Sequence, residues 1–491
     1  MKYIDELFKI VTSPNRLGVL KPKETSRRKT DKLFLQLISS KQDLKRNDDL
    51  QIGSVAYRKL KSRLSEQIVR KILATDTDQL LKNNFDRTYH RALRNIVLAN
   101  LLYLQYSKRA ANELLEKNIR VARKYQFTDV MVNSLRLLRY HAAFAGNKKK
   151  FIEYSELMNS SLQELEAEIE TERCSQQIIL ELHHSSSIKI ESISVYSRMY
   201  DDVKGLASLY PTRVNILNSL RFGIHYYEYC QQHEKVIILC KKAEKYLLEN
   251  PLLAQKIRVA EFALYKMNSC LQLRDNKNGK LSAIQCEKIF EPGTDNWFIY
   301  LSYYFLLCMQ TRNYSQAKTL VTQVKSHNRF GLQQQVRIEK WKIYEAYLHF
   351  ILPADKNNRF NIYKFLNEVP LHSADKSGFN VSILIAQIIS LIHAGKFDDI
   401  VEKDDALKIY CQRYIRLKEN SRTYYFMKML QVMIKYSFEP EKTEQIAKKY
   451  FNYLVDSKKA GKSLEELEVI PYDVLWNRIL DRLKDADLET A

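Results

Sequence analysis

Basic residues near the amino terminus have the types and the spacing to bind a polyanion. Apolar residues recur there at helical spacing and predict a helix with this apolar stripe: Tyr57, Leu60, Leu64, Ile68 and Ile72. The opposite face carries six cationic side chains: Arg58, Lys59, Lys61, Arg63, Arg70 and Lys71. Such a row can neutralise nucleic-acid phosphates and release their counterions. The pattern predicts a polyanion-binding face, with a protein-binding face and a merely solvated face as alternatives.

Metal and catalytic motifs are scarce in the chain. Glu181, His183 and His184 are of types that ligate metals, but Glu181 and His183 lie two positions apart and point in different directions on a helix. A structural role is therefore favoured for them. The sequence has no H-E-x-x-H, no C-x-x-C, no phosphate-binding glycine loop and no G-x-S-x-G. We expect no catalytic residue, no metal, no cofactor and no enzymatic activity.

The composition indicates a folded, basic, helical protein. Lys and Arg total 79 against 57 Asp and Glu, and the net charge of +22 attracts nucleic acid or acidic protein surfaces. The hydrophobic fraction of 45%, with 11 Gly and 9 Pro, favours long helices. The first residues lack the apolar run of a signal peptide, and no window approaches the ~20 apolar residues of a membrane span. With isolated cysteines, these features predict a cytoplasmic location, reduced thiols and no membrane partner.

Short polar corners recur between amphipathic helical patterns. The first series comprises Ala145–Phe151, Gln231–Val236, Thr311–Ala317 and Ala394–Ile400. Their last residues lie 81 to 85 positions apart, as two helix pairs of about forty residues each would produce. A second series is expected between them, at Ser107–Lys108, Asp201–Asp202, Asn276, Lys356 and Glu439–Pro440.

This organisation resembles the tetratricopeptide repeats. The family's helix contacts are matched by Leu301, Tyr304, Ala317, Val321 and Val324, and again by Leu220, Tyr227, Val236, Cys240, Ala243 and Pro251. Phe305 stands where the family usually has a small residue, and Arg312-Asn313 replaces its Gly-Asp corner. The resemblance spans about 85–455 and implies an all-α fold, a right-handed superhelical stack of antiparallel helix hairpins with a partner-binding surface. A generic α-solenoid is the alternative.

A second resemblance concerns Arg136 and His141. Their R-x4-H spacing is similar to the catalytic motif of HEPN-type ribonucleases, helical proteins in which histidine and arginine act on the scissile phosphate. Leu137 replaces the polar residue usual in that family. A chain of this composition contains about one or two such spacings by chance, so surface and packing roles are favoured.

Three regions follow from these patterns. Residues 1–80 form a basic helical module, since the chain up to Leu73 has 18 Lys and Arg against 8 Asp and Glu. It would hold a short helix at Lys32–Ser40 before the one at 57–72. Residues 81–455 form the repeat array, and 456–491 a capping helix with an apolar face of Val474, Leu475, Ile479 and Leu483.

The leading functional hypothesis is a non-enzymatic protein–protein interaction scaffold that holds an unidentified protein partner on its repeat surface. The first alternative is a nucleic-acid-associated regulator that uses the basic amino-terminal module. The second, less favoured, is a HEPN-like helical ribonuclease.

Overall fold

The computed structural model describes residues 30–31, 54–76, 78, 81, 83–184, 190–352, 360–369, 380–415, 421–456 and 468–490. In these ranges every regular element is helical, which confirms the all-α prediction. The Lys32–Ser40 helix and the Lys356 corner lie outside the described residues. No helix in this part of the chain combines the length and the apolarity needed to cross a membrane.

The helices follow one another closely along the chain. The first five are α1 Ser54–Ala74, α2 Asn84–Leu104, α3 Lys108–Tyr125, α4 Thr128–Phe144 and α5 Lys148–His184. The next eight are α6 Ile190–Leu209, α7 Arg213–Tyr229, α8 His233–Glu249, α9 Lys256–Gln272, α10 Asn276–Glu287, α11 Asp295–Gln310, α12 Tyr314–Ser326 and α13 Gln335–Ile351. The last seven are α14 Ile362–Glu368, α15 Asn380–His393, α16 Phe397–Val401, α17 Asp404–Ile415, α18 Ser421–Lys435, α19 Pro440–Asp456 and α20 Tyr472–Thr490.

The corners between these helices share one backbone device. A residue with left-handed φ lies two positions before the next helix, as found at Tyr106, Gln126, Gly146, Gln231, Arg274, Arg312, Gly395 and Phe438. At all of these corners but the last, the amide after it donates to a carbonyl five residues earlier, for example Asn147 to Ala142 at 2.9 Å and Asn313 to Cys308 at 2.8 Å; at the last, Phe438 itself donates to Met433 at 3.0 Å. This Schellman closure satisfies carbonyl groups that the helix end would otherwise leave unpaired.

The predicted corners can be compared with these junctions. All four corners of the first series are confirmed, as are Ser107–Lys108, Asn276 and Glu439–Pro440. The corner at Asp201–Asp202 is wrong, because both residues lie inside α6. Tyr196, Tyr200 and Val203 are buried at helical spacing across that point, so the apolar stripe continues past the exposed aspartates.

Replacing Arg312 by glycine is expected to raise the free energy of unfolding. Arg312 holds φ at +57°, and glycine adopts this conformation without the steric cost that a Cβ atom incurs. After the entropy that glycine adds to the unfolded chain, the net gain is about 0.5–1 kcal/mol. Gly395→Ala, at φ +67° with open space around a Cβ, is the reciprocal control and should destabilise. Chemical denaturation measures both; equal stabilities would contradict the steric argument.

The chain divides into two compact units, Met1–Leu162 and Gln163–Ala491. In the first unit α2, α3 and α4 pack on one another around residues such as Leu115 and Leu135, which are fully buried. The buried Asn118 amide donates to the Ala92 carbonyl and to Ser134 Oγ, both at 3.1 Å. These buried hydrogen bonds of Asn118 fix the register in which the three helices pack.

Packing in the second unit joins consecutive helices from α6 to α13. Hydrogen bonds recur there at a separation of 40 residues, namely Arg213 to Leu253, Arg221 to Glu261, Tyr265 to His225 and Asn268 to Glu228. A constant separation means that α7 and α9 keep the same register over four helical turns. The forty-residue spacing expected from the corners is therefore present in the contacts of this region.

The carboxyl-terminal end adds contacts between distant parts of the sequence. Helix α20 packs on α15, α18 and α19 and buries Leu475, Ile479 and Leu483, which confirms these residues as its apolar face; Val474, the fourth predicted member, is half-buried. Arg274 lies 3.2 Å from Glu468, 194 positions later. A linear repeat stack has contacts only between neighbouring repeats, so this end departs from that scheme. The proposed boundaries at 80 and 455 stay predictions.

Candidate functional site

The predicted basic helix is present, and its two faces have the predicted orientation. On α1 the apolar residues Tyr57, Leu60, Leu64 and Ile68 are buried, and Ile72 is half-buried. On the other face the exposed cations are Arg58, Lys59, Arg63, Arg70 and Lys71. Lys61 is half-buried, with its ammonium 4.5 Å from the centre of the Tyr57 ring. Polyanion binding by this face stays a prediction.

The other candidate residues of the sequence do not converge on a site. Five positions turn a helix by about 140°, so Arg136 and His141 project from different sides of α4. Arg136 is exposed, whereas His141 is half-buried and stacks on Tyr103 with 3.4 Å between ring centres. Burial, and then the charge of Lys108, lowers the pKa of His141. Arg136 and His141 therefore do not face a common point on α4. The ribonuclease hypothesis stays a prediction.

The metal candidates give a similar result. Glu181 is half-buried at the end of α5, and the side chains of His183 and His184 lie outside the described residues. Among the residues that the structure describes, no group of three or more His, Cys, Asp or Glu side chains could hold a metal ion.

An exposed apolar strip on α2 is the feature that sequence reasoning missed. Val97, Leu101 and Leu104 are 62%, 54% and 72% exposed, and Leu98 flanks them at 46%. We call these four residues the α2 strip. Their spacing of i, i+4 and i+7 places Val97, Leu101 and Leu104 on one side of the helix. The opposite side carries the buried residues Phe85, Ala92 and Ala99.

Cations predominate along the sequence on either side of the α2 strip. One to three turns earlier on α2, Arg87, Arg91 and Arg94 project on the same side of the helix. They bond to the preceding segment: Arg91 to Asp78 at 2.9 Å, Arg94 to the Thr75 carbonyl at 3.0 Å and Arg87 to the Leu81 carbonyl at 2.5 Å. The exposed Lys108 and Arg109 follow the strip, and the sequence from 87 to 112 contains no acidic residue. The strip therefore lies between two groups of cations, in which Arg91 pairs with Asp78 and Arg109 with Glu113, 3.3 Å away.

Exposed aromatic residues lie at the carboxyl end of α4, which packs on α2. Tyr140 and Phe144 on α4 are 57% and 74% exposed, with ring centres 4.6 Å apart. The stack of Tyr103 on His141 joins α2 to α4 at this level. An open depression of ≈ 450 Å³ lies beside the corner after α2 and is lined by residues 106–110 and 113. Exposed apolar and aromatic side chains grouped beside a polar rim are typical of a site that another molecule covers.

A signal for the α2 strip is present in the sequence. From Ile96 to Leu104 the only polar residue is Asn100, so the segment is apolar all round. An all-apolar helix segment is normally buried on every side. The spacing of the corners carries no information about a second apolar face, and only the packing of α2 identifies the uncovered side.

Comparison with protein-family models, with curated proteins and with solved structures finds no match to this chain. The tetratricopeptide resemblance stands as a likeness in helix pattern.

Proposed function

We propose that this chain is a non-enzymatic interaction scaffold that docks an acidic amphipathic helix of a protein partner on the α2 strip. The observation that carries the proposal is an exposed row of leucine and valine at helical spacing, placed between basic groups in a stretch of sequence, 87–112, that has no acidic residue. Apolar grooves and ridges of this type take a helix through anchors at i, i+3 or i+4, and i+7.

The dimensions and charges of the strip select the occupant. Val97 to Leu104 covers about 10 Å of helix axis, which matches two turns of a partner helix. Covering each half-exposed leucine contributes about 1 kcal/mol from the area removed from water. Carboxylates beside the partner's apolar anchors would face Arg109 and Lys108 at one end and Arg91 at the other. Charge complementarity of this kind accelerates association and rejects basic competitors.

A repeat architecture suits such a scaffold. We infer a stack of antiparallel helix hairpins, of tetratricopeptide-like or more general α-solenoid type, and the right-handed superhelix is the part that rests on the resemblance alone. Support comes from the recurring left-handed corners and from the hydrogen bonds between α7 and α9, each of which joins two residues 40 positions apart. Stacked repeats present long surfaces for partner segments.

A displayed peptide library provides the test of the docking proposal. Helical peptides selected on the whole protein should carry apolar residues at i, i+3 or i+4, and i+7 with a net negative charge. Leu101→Asp with Leu104→Asp should weaken the selected peptides at least about tenfold, because two anchors are lost and carboxylates now face carboxylates. The matched control is Leu209→Asp with Leu248→Asp, also at exposed leucines. Selected peptides that are basic, or that bind the first variant as well as the wild type, would exclude the strip.

Exposed cations on α1 favour nucleic-acid binding as the second candidate function. Affinity for an arbitrary duplex should fall steeply with salt, and charge reversal of Lys59, Arg63 and Arg70 to Glu should remove most of it, because phosphate contacts dominate such binding. Reversal of Lys241, Lys242 and Lys245 on α8 is the control with the same change in net charge. Salt-insensitive binding, or an equal loss in both variants, would rule out a specific role for α1.

A further inference from the structure

Two histidines and two arginines come together in the second unit. His349 on α13 and His393 on α15 pack edge to face with ring centres 4.5 Å apart, and His349 also stacks on Phe360. Arg478 and Arg482 lie one turn apart on α20, which packs on α15. Both guanidinium groups act electrostatically on His393, and that of Arg482 also acts on His349. We call these four residues the cationic cluster.

The polar atoms of the cationic cluster are incompletely satisfied. Arg478 Nε, Arg482 Nε and His393 Nδ1 are buried without a hydrogen-bond partner. Neither arginine forms an ion pair with any residue that the structure describes. The nearby carboxylate that acts on His349 is Glu345, whose oxygens are already 2.6 Å and 2.7 Å from Lys325 Nζ.

This arrangement is unfavourable for the protein alone. Like charges one turn apart on a helix repel, and a buried donor without an acceptor loses its hydrogen bond to water. Arg312 adds further positive charge, since it and Arg478 both act on Tyr314. An anion between the helices would supply acceptors for the two Nε atoms and balance the charge.

We infer that the cationic cluster binds a small oxyanion, with one phosphate group as the chemistry that fits it. Guanidinium groups present paired N–H donors that match two oxygens of a phosphate, and the half-buried position between three helices suits a small molecule. This site is separate from the α2 strip and does not depend on the proposed docking function.

The histidines make binding depend on pH. Burial, then His349 and the two arginines, lowers the pKa of His393 to about 4, and burial lowers that of His349. A bound anion opposes the effect of the arginines and raises both pKa values. Binding should therefore strengthen as the pH falls from about 6 towards 5, because the imidazoles then gain protons and add donors while inorganic phosphate keeps its single negative charge.

Thermal unfolding with inorganic phosphate, against chloride at equal ionic strength, tests the inference. We expect phosphate to raise the unfolding temperature of the whole protein by about 3 °C, and by more at the lower pH. Arg478→Gln with Arg482→Gln should abolish the shift and leave stability without phosphate unchanged or higher, because repulsion is removed. Lys448→Gln with Lys484→Gln, at exposed sites, should keep the shift. The same measurement with glycerol phosphate in place of inorganic phosphate shows whether the site binds an esterified phosphate as well as the free anion.

Proton resonances of His349 and His393 provide a second readout on the wild type. Phosphate should move both signals, and chloride should not. Unmoved signals, equal unfolding temperatures in the two salts, or a phosphate shift retained by the double arginine variant would each overturn the inference. A large loss of stability in that variant without phosphate would also overturn it, since the arginines would then have a structural role.

Discussion

Replacing Glu468 by glutamine is expected to lower the free energy of unfolding of the second unit by ~3–5 kcal/mol. Glu468 and Arg422 are both about 5% exposed, and their two contacts are 2.5 Å and 3.0 Å long. Burial lowers the pKa of Arg422, but the carboxylates of Glu468 and Asp473 together outweigh burial and raise the pKa overall. Arginine stays protonated in proteins, so in the variant the cation keeps its charge and has only Asp473, 3.1 Å from its Nη2, as a counterion.

The same carboxylate joins several segments. Its Oε2 accepts from the Tyr472 amide at 2.9 Å and lies 3.2 Å from Arg274 Nη2. Arg422 also donates to the Leu454 carbonyl at 2.6 Å. Glu468 thus connects the start of α20 to α18 and to the corner before α10. Loss of its charge leaves two guanidinium groups to be desolvated without full compensation.

Chemical denaturation measures the effect, and two variants control it. Glu444→Gln breaks the exposed pair with Lys484, 2.9 Å long, and should cost no more than ~0.5 kcal/mol. Arg422→Met with Glu468→Met removes both charges and should destabilise less than the sum of the single changes. A loss below ~1 kcal/mol for Glu468→Gln would show that this pair does not hold the carboxyl-terminal end together.

Acid is expected to destabilise the second unit between about pH 6.5 and 4 through His393. The pKa of this residue is about 4 in the folded protein, against 6.5 in the unfolded chain. The cause is chiefly burial and then the charges of His349, Arg482 and Arg478. A folded-state pKa below the unfolded value means that the contribution to stability is complete above pH 6.5. It is lost as the pH falls through this window, because only the unfolded chain takes up the proton.

The size of the effect is limited by solvent. A shift of this width corresponds to ~3 kcal/mol at full burial, and half-burial with screening reduces it to about 1–2 kcal/mol. His393→Gln should flatten the slope of unfolding free energy against pH in this range, since glutamine does not titrate. His90→Gln, at an exposed position, should keep the wild-type slope. Identical slopes for all three proteins would contradict the role of His393.

Local patterns in the sequence determined the helices and many of their ends. The apolar period along α1 predicted which residues are buried, because 3.6 residues per turn place Leu60, Leu64 and Ile68 on one side. Polar corners such as Thr311–Ala317 marked helix junctions, since the closing hydrogen bonds involve residues only five positions apart. The Asp201–Asp202 corner failed because two exposed charges are equally compatible with a helix surface.

The candidate sites depended on tertiary structure. An apolar segment such as Ile96–Leu104 reads as core, and only the packing of α2 against its neighbours leaves Leu101 and Leu104 exposed. The cationic cluster joins residues from α13, α15 and α20, and Glu468 meets Arg274 across 194 positions. Periodicity reports contacts within one helix or between adjacent ones. It carries no information on which distant helices meet, because that choice is made by the free energy of packing the whole unit.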